Sequence, residues 1–314
     1  MVRQRKRLLW LLAALLPLPF AYGLRDVDNE PNPESVAAVT IVPLPRADGM
    51  VRLPESVFLM GTPRPGPVDQ RPVHRVRLKS FWLDRTPVTN REFEAFVAAT
   101  DYTTTAEQQG WSLLFDRNRA RWNETEGVSW RHPTGADSSL VGKAEYPVVH
   151  VSWSDAVAYA AWAGKRLPTE AEFEFASRGG LSDTAYAWGR ELTLSNRLQA
   201  NYWQGKFPFT NLQLDGFYGV SPVESFSANS YGLFDMAGNA ACWCADWYAD
   251  DAYGSSRADT GDGPTTGTER VLRGGSWRST SEKGNGLQVG DREHAAPTTT
   301  SDYIGFRCAR DVKE

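Results

Sequence analysis

The strongest ligands and nucleophiles that this chain carries are thiols. It has three, Cys242, Cys244 and Cys308, in 314 residues. Cys242 and Cys244 flank Trp243, so on a strand both thiols face one way and the tryptophan the other. Two thiolates on one face are soft ligands suited to copper(I) or zinc. Buried free cysteines, however, also pack as small inert hydrophobes. Thiols one residue apart do not readily bridge to each other, so Cys308 either pairs with one of them or stays free. The four histidines, His74, His132, His150 and His294, show no ligand spacing, and a packed, hydrogen-bonded role is expected for most. No nucleophile elbow, P-loop or dinucleotide fingerprint is present.

The elements that would position any chemistry converge on the tail, Arg270 to Arg310. It opens on the apolar run Val271-Leu272, continues through Arg273 into the pair Gly274-Gly275, and reaches Ser276-Trp277. It closes on a second short strand, Tyr303-Ile304-Gly305-Phe306-Arg307-Cys308. Paired glycines let the backbone turn where a side chain would clash, and the neighbouring aromatics fill the space beneath. The polar excursion between the two strands is expected to be surface loop.

Composition is that of a globular protein: 41% hydrophobic, 23% charged, with 12 Trp, 27 Gly and 19 Pro. Many turns held by large aromatic anchors follow from that mixture. The formal charge of −4 and the lack of a basic stripe argue against nucleic-acid binding. Residues 1–23 carry Arg3, Arg5, Lys6 and Arg7 and no acid, followed by a short apolar run broken by proline. This reads as a secretory signal peptide, with an uncleaved anchor as the alternative, and places the protein in a periplasmic or secreted compartment. No cysteine follows the run, so a lipoprotein is excluded, and no membrane association is expected beyond the leader. Residues 24–50 are rich in proline and acid and read as a linker ending in a first short strand.

From Val51 the pattern becomes compact and continues as one domain over 51–312. Strands are expected at Ser56–Gly61, His74–Leu78 and Phe81–Leu83. Thr89-Asn90-Arg91-Glu92 is a capping box opening a helix whose apolar face is Phe93, Phe96 and Val97. A second helix begins near Ser154, with Ala156, Val157, Ala160 and Ala161 apolar, and stops at Gly164. Thr169 to Glu172 repeats the capping box, and Gly179-Gly180 ends that third helix. Short aromatic strands and glycine turns are expected from Tyr186 to Trp247. Two or three helices among short strands and long loops make an α+β arrangement.

Ordered blocks along this domain resemble the formylglycine-generating enzymes, or sulfatase-modifying factors. They include Val88-Thr89-Asn90-Arg91-Glu92-Phe93, Trp130-Arg131-His132-Pro133, Gly164-Lys165-Arg166-Leu167-Pro168-Thr169-Glu170, Asn201-Tyr202-Trp203-Gln204-Gly205 and Gly232-Leu233-Phe234-Asp235-Met236-Ala237-Gly238-Asn239. The tail supplies Arg273-Gly274-Gly275-Ser276 and Gly305-Phe306-Arg307-Cys308. The resemblance implies a C-type-lectin-like fold, poor in regular structure and stiffened by calcium. It implies a first calcium site at Asn201 and Asp215 with the carbonyls of Tyr202 and Phe217. A second would use Asp235 with the carbonyls of Gly238 and Ala240. There a position normally Glu is Cys242, a soft ligand ill suited to calcium, so the second site is expected to be weak or empty.

The family oxidises a substrate cysteine with oxygen at copper(I) held by two thiolates five residues apart. Those positions fall here on Ser279 and Gly284, neither of which offers a thiolate, so no catalytic residues are assigned and copper is not expected. Tyr303 also replaces an Asn of the family's usual ending. Trp130, Arg131, Ser276 and Arg292 remain candidates for a substrate groove, or for loop-bracing groups. Three functions stay open: a non-oxidising binding protein that keeps the groove for a peptide or a protein such as a sulfatase; another oxidative tailoring enzyme; and an active generator of formylglycine.

Overall fold

The computed structural model of the protein describes residues 44–63, 67–254, 260–282 and 286–313. The expected leader 1–23, most of the linker, and Gly284 lie outside the described residues. The fold begins before the expected boundary, because β1 (Arg46–Ala47) and β2 (Met50–Leu53) already pair with each other. β2 also pairs with β5 (Phe81–Asp84), which is bound on its other edge by the chain's end, β12 (Ala309–Asp311). The two termini of the domain therefore share one sheet. Separate hairpins join β3 (Ser56–Met60) to β4 (His74–Leu78) and β6 (Trp111–Asp116) to β7 (Arg121–Glu126).

Four helices occur among the described residues, and all four open on a complete capping box. Two of these boxes are the expected ones, at Thr89 of α1 (Asn90–Thr100) and Thr169 of α4 (Glu170–Arg178). α2 (Thr105–Gln109) is an additional short helix capped by Thr104 and Glu107. In α3 (Trp153–Trp162) the buried face is Asp155, Ala156, Tyr159 and Ala160. Val157 and Ala161, expected on that face, point to solvent instead. Tyr159 decides the rotation, because burying its ring against Phe93 and Phe306 removes far more apolar area than two small side chains would.

The second sheet runs β10 (Glu293–Ala295), β9 (Arg270–Arg273), β8 (Ala241–Trp247) and β11 (Ile304–Gly305). β8 is the wall between two apolar clusters: Cys242 and Cys244 pack into one, and Ala241 and Trp243 into the other. No strand occupies 186–240, contrary to the expected series of aromatic strands. The aromatics there sit on irregular backbone and turns, where Trp203 packs against Phe207, Tyr218 and Trp277.

The tail excursion departs from a surface loop as well. Leu287, Val289, Asp291, Arg292, Thr300 and Ser301 are all buried. Arg273, itself 1% exposed, donates to the carbonyls of Val289, Gly290 and Asp291 and pairs with Glu174 at 2.6 Å. A buried guanidinium needs that many acceptors, and the loop folds inward to provide them.

Candidate functional site

The site is built on the turn after β9. Gly274 and Gly275 have φ of 85° and 62°, and a Cβ on Gly275 would collide with the Gly286 carbonyl and with Ser279 Oγ. The glycine pair thus lets two backbone segments close over Ser279, which is 2% exposed. Its hydroxyl accepts the Ser276 amide at 3.0 Å, and its own amide donates to the Ser276 carbonyl at 2.9 Å. Ser276 is fully buried and its hydroxyl accepts the Arg278 amide at 3.4 Å. The serines brace each other rather than face outward.

Beside them opens a cleft of about 440 Å³ lined by Lys206, Phe207, Arg278, Ser279, Thr280, Glu282 and Glu293. The Arg278 guanidinium is ion-paired with Glu293 and lies 4.1 Å from the centre of the Tyr303 ring. Tyr303 meets Trp122 edge-on at 5.5 Å, and Trp122 donates its indole N–H to Asp302 at 2.8 Å. Burial pushes the Asp302 carboxyl up to about 6, against the amide of Phe115 and the Trp122 N–H that stabilise its charge. Of the residues around this cleft, sequence reasoning picked out Ser279 and Tyr303. Arg278 and Glu293 lie on different segments with nothing in their spacing to join them.

The thiols take no part. Cys242, Cys244 and Cys308 are free and fully buried, with Cys308 in the opposite cluster from the other two. The alternation expected of a strand holds, with Trp243 facing away. Burial pushes the Cys242 thiol up and those of Cys244 and Cys308 well up, so all three are held as thiols. Among the described residues no three His, Cys, Asp or Glu side chains converge to hold a metal. His150 is equally enclosed, between the Ser112 hydroxyl at 2.7 Å and the Pro133 carbonyl at 3.0 Å.

Asn201, Tyr202 and Asp215 are brought together. One donor, the side-chain amide of Gln204, reaches both the Tyr202 carbonyl and Asp215 Oδ2, the latter at 2.7 Å. Asp215 Oδ1 accepts the Phe217 amide at 2.9 Å, and Asn201 turns its N–H toward the Gly219 carbonyl at 2.8 Å. Oxygens of Tyr202 and Asp215 thus converge on the Gln204 amide nitrogen, a place that a hard cation would take by displacing that donor. Around Asp235 the fit is poor. Its oxygens accept from the Glu224 amide and the Asn239 side chain, at 3.0 and 3.2 Å. The buried Arg307 guanidinium donates to the Phe234 and Asp235 carbonyls, so a positive charge already stands there. The Ala240 carbonyl faces the Cys242 thiol at 3.7 Å, and Gly238 packs against the Asn201 backbone. Asn239, which sequence reasoning passed over, ties the two loops through Ser221, Asp235 and Asn201.

A profile described as the sulfatase-modifying factor enzyme 1-like domain matches residues 37–312. The chain belongs to the formylglycine-generating enzyme family. It is 44% identical to the formylglycine-generating enzyme of Streptomyces coelicolor over 300 residues, covering 90% of this chain and 96% of that one. It is also 44% identical to a Bos taurus protein named inactive C-alpha-formylglycine-generating enzyme 2, covering 83% of this chain and 87% of that one. Among solved structures, PvdO of Pseudomonas aeruginosa matches with a TM-score of 0.64 and 29% identity, over 84% of this chain and 94% of PvdO. The C-type-lectin-like α+β fold expected from the resemblance is the fold of these relatives.

Within the formylglycine-generating enzyme frame, two of the expected groove residues belong to the interior. Trp130 is fully buried and meets the Phe93 ring edge-on at 5.2 Å. Arg292 grips Glu170 with two bonds, at 2.7 and 2.9 Å, and donates to the carbonyls of Asp69 and Ala249. A guanidinium so enclosed is held by its carboxylate and is not offered to a ligand. Arg131 is half-exposed, lies over the Trp130 ring and pairs with Glu107 at 3.1 Å. Only Ser276, through Ser279, joins the cleft beside the glycine turn.

Proposed function

We propose that this chain is an exported, non-oxidising member of the formylglycine-generating enzyme family. It binds a peptide or a protein, such as a sulfatase, in the cleft beside Ser279. The observation that carries the reading is Ser279 itself. Where two thiolates would be needed to hold copper(I), the side chain is a buried hydroxyl already engaged by the Ser276 amide. A hydroxyl is a hard, weakly acidic ligand, and the thiols that the chain does possess are sealed in the core. The residues therefore do not fit copper. Similarity to a relative named inactive supports the same reading.

The cleft keeps features that suit an extended peptide: opposite charges at Lys206 and Glu282, and the flat Phe207 ring. One calcium ion at Asn201 and Asp215, with the carbonyls of Tyr202 and Phe217, would stiffen the segment that supplies Lys206 and Phe207. Export rests on the basic start and short apolar run of residues 1–23.

The test is oxygen uptake with copper(I) and a sulfatase-type cysteine peptide, alongside peptide binding without copper. Peptide binding with no conversion to formylglycine is expected. Metal-dependent conversion by the unaltered protein that is lost in Cys242→Ser would sink the reading and make the buried thiols the working site.

A further inference from the structure

A second cavity, of about 380 Å³, lies where the β6–β7 hairpin meets the loop before Pro147 and the segment after Phe217. Its volume is within the range that encloses a small organic ligand. The Phe115, Tyr218 and Trp277 rings and Pro133 form apolar walls, while Arg117 and Lys143 bring cations to it. The Arg117 guanidinium lies 3.4 Å from the centre of the Tyr218 ring. Neither Arg117 nor Lys143 has a carboxylate partner among the described residues, although both lie within reach of one space. The single acid in the lining, Asp302, is already committed. Its Oδ2 accepts the Phe115 amide at 2.9 Å, and its Oδ1 accepts Trp122 Nε1 and Ser301 Oγ at 2.8 and 3.2 Å.

We propose that this cavity is a binding site for an aromatic carboxylate, its ring against Trp277 and Phe115 and its carboxylate between Arg117 and Lys143. An apolar cup provides the burial energy for the ring. Two unpaired cations sharing one mouth provide charge-assisted donors that a neutral ligand cannot use. Arg117 rests on the Tyr218 ring and Lys143 has no acid beside it among the described residues, so both charges gain from an anion that reaches the space between them. The site is separate from the cleft beside Ser279 and stands independently of what that cleft does. The same ring cluster serves both, because Phe115 and Trp277 line this cavity and Phe207, 6.2 Å from Phe115, lines the other.

Titration calorimetry on the full chain tests it, with N-acetylphenylalanine and its uncharged amide as probes. The acid is expected to bind saturably and about tenfold or more tighter than the amide, and to weaken as salt is raised. Arg117→Gln and Lys143→Gln should each weaken the acid about tenfold, the worth of one charge-assisted hydrogen bond. Lys206→Gln, in the other cleft, should leave it unchanged. Both cavity positions are outside the core, and an unchanged melting temperature confirms that the variants fold. Equal binding of acid and amide, indifference to both substitutions, or no saturable binding of the acid overturns the proposal. A failure here leaves the peptide-oxidation test untouched, and the converse also holds.

Discussion

Replacing Arg292 with methionine separates an internal strut from a groove residue. The side chain is fully enclosed and makes two bonds to Glu170 and two to backbone carbonyls. Methionine keeps most of the volume and removes the charge, leaving Glu170 buried beside Asp246. Breaking a buried pair from one side costs about 3–5 kcal/mol. Arg273 at 3.6 Å and the Tyr253 hydroxyl at 3.3 Å still face Glu170, so the lower end, about 3 kcal/mol, is expected. Urea unfolding followed by tryptophan fluorescence reads this directly. Glu170→Gln in the same chain removes the stranded charge. The double variant should therefore recover part of the loss, with a coupling of about 2 kcal/mol in the double-mutant cycle. A cost below about 1 kcal/mol, typical of an exposed pair, with no coupling, would refute the strut and return Arg292 to the groove.

Stability should also depend on pH in two opposed ways. Burial, with Glu170 nearby, raises the Asp246 carboxyl to about 7, so the folded state keeps a proton that the unfolded chain releases near 3.8. Its contribution is full at low pH and lost as pH rises to about 7, and Asp246→Asn should flatten melting temperature over that window. Burial lowers His150 to about 4 from 6.5, so its contribution is lost as pH falls through the same range, and His150→Gln should remove that acid-side slope. Chelator should lower the melting temperature if calcium binds the folded state, and Asp215→Ala should abolish the response while Asp235→Ala leaves most of it. The reverse pattern would move the ion to the second loop.

Helix starts were legible because capping is local. Thr89 with Glu92 and Thr169 with Glu172 both close the expected boxes, and Thr104 with Glu107 carries the same signal for the helix that was passed over. The fold as a whole was legible through ordered blocks. That no cysteine lies between Trp277 and Phe306 is read off the residue types alone. Which of its two open roles Arg292 takes is not legible, because its partner is 122 residues away and nothing local says which carboxylate a distant guanidinium will meet. The tail excursion looked like surface because its residues are polar. Arg273 draws three of its carbonyls inward, and a backbone acceptor leaves no trace in composition. The aromatic stretch from 186 to 240 looked like strands because β-propensity measures fit to a half-buried surface, which turns packed around Trp203 and Trp277 provide equally well.

Strand β8 divides the interior, and its consequence lies in how the protein comes apart. Cys242 and Cys244 are sealed within one apolar compartment and Cys308 within the other. A thiol reagent can reach each only when its own compartment opens, so the three cysteines act as native clocks for two halves of one core. Alkylation at equal rates would mean that the halves separate together, in one cooperative event. Earlier labelling of Cys308 would mean that the compartment of α1 and α3 breathes while the other stays shut. No reporter needs to be introduced, because the sequence has already placed them.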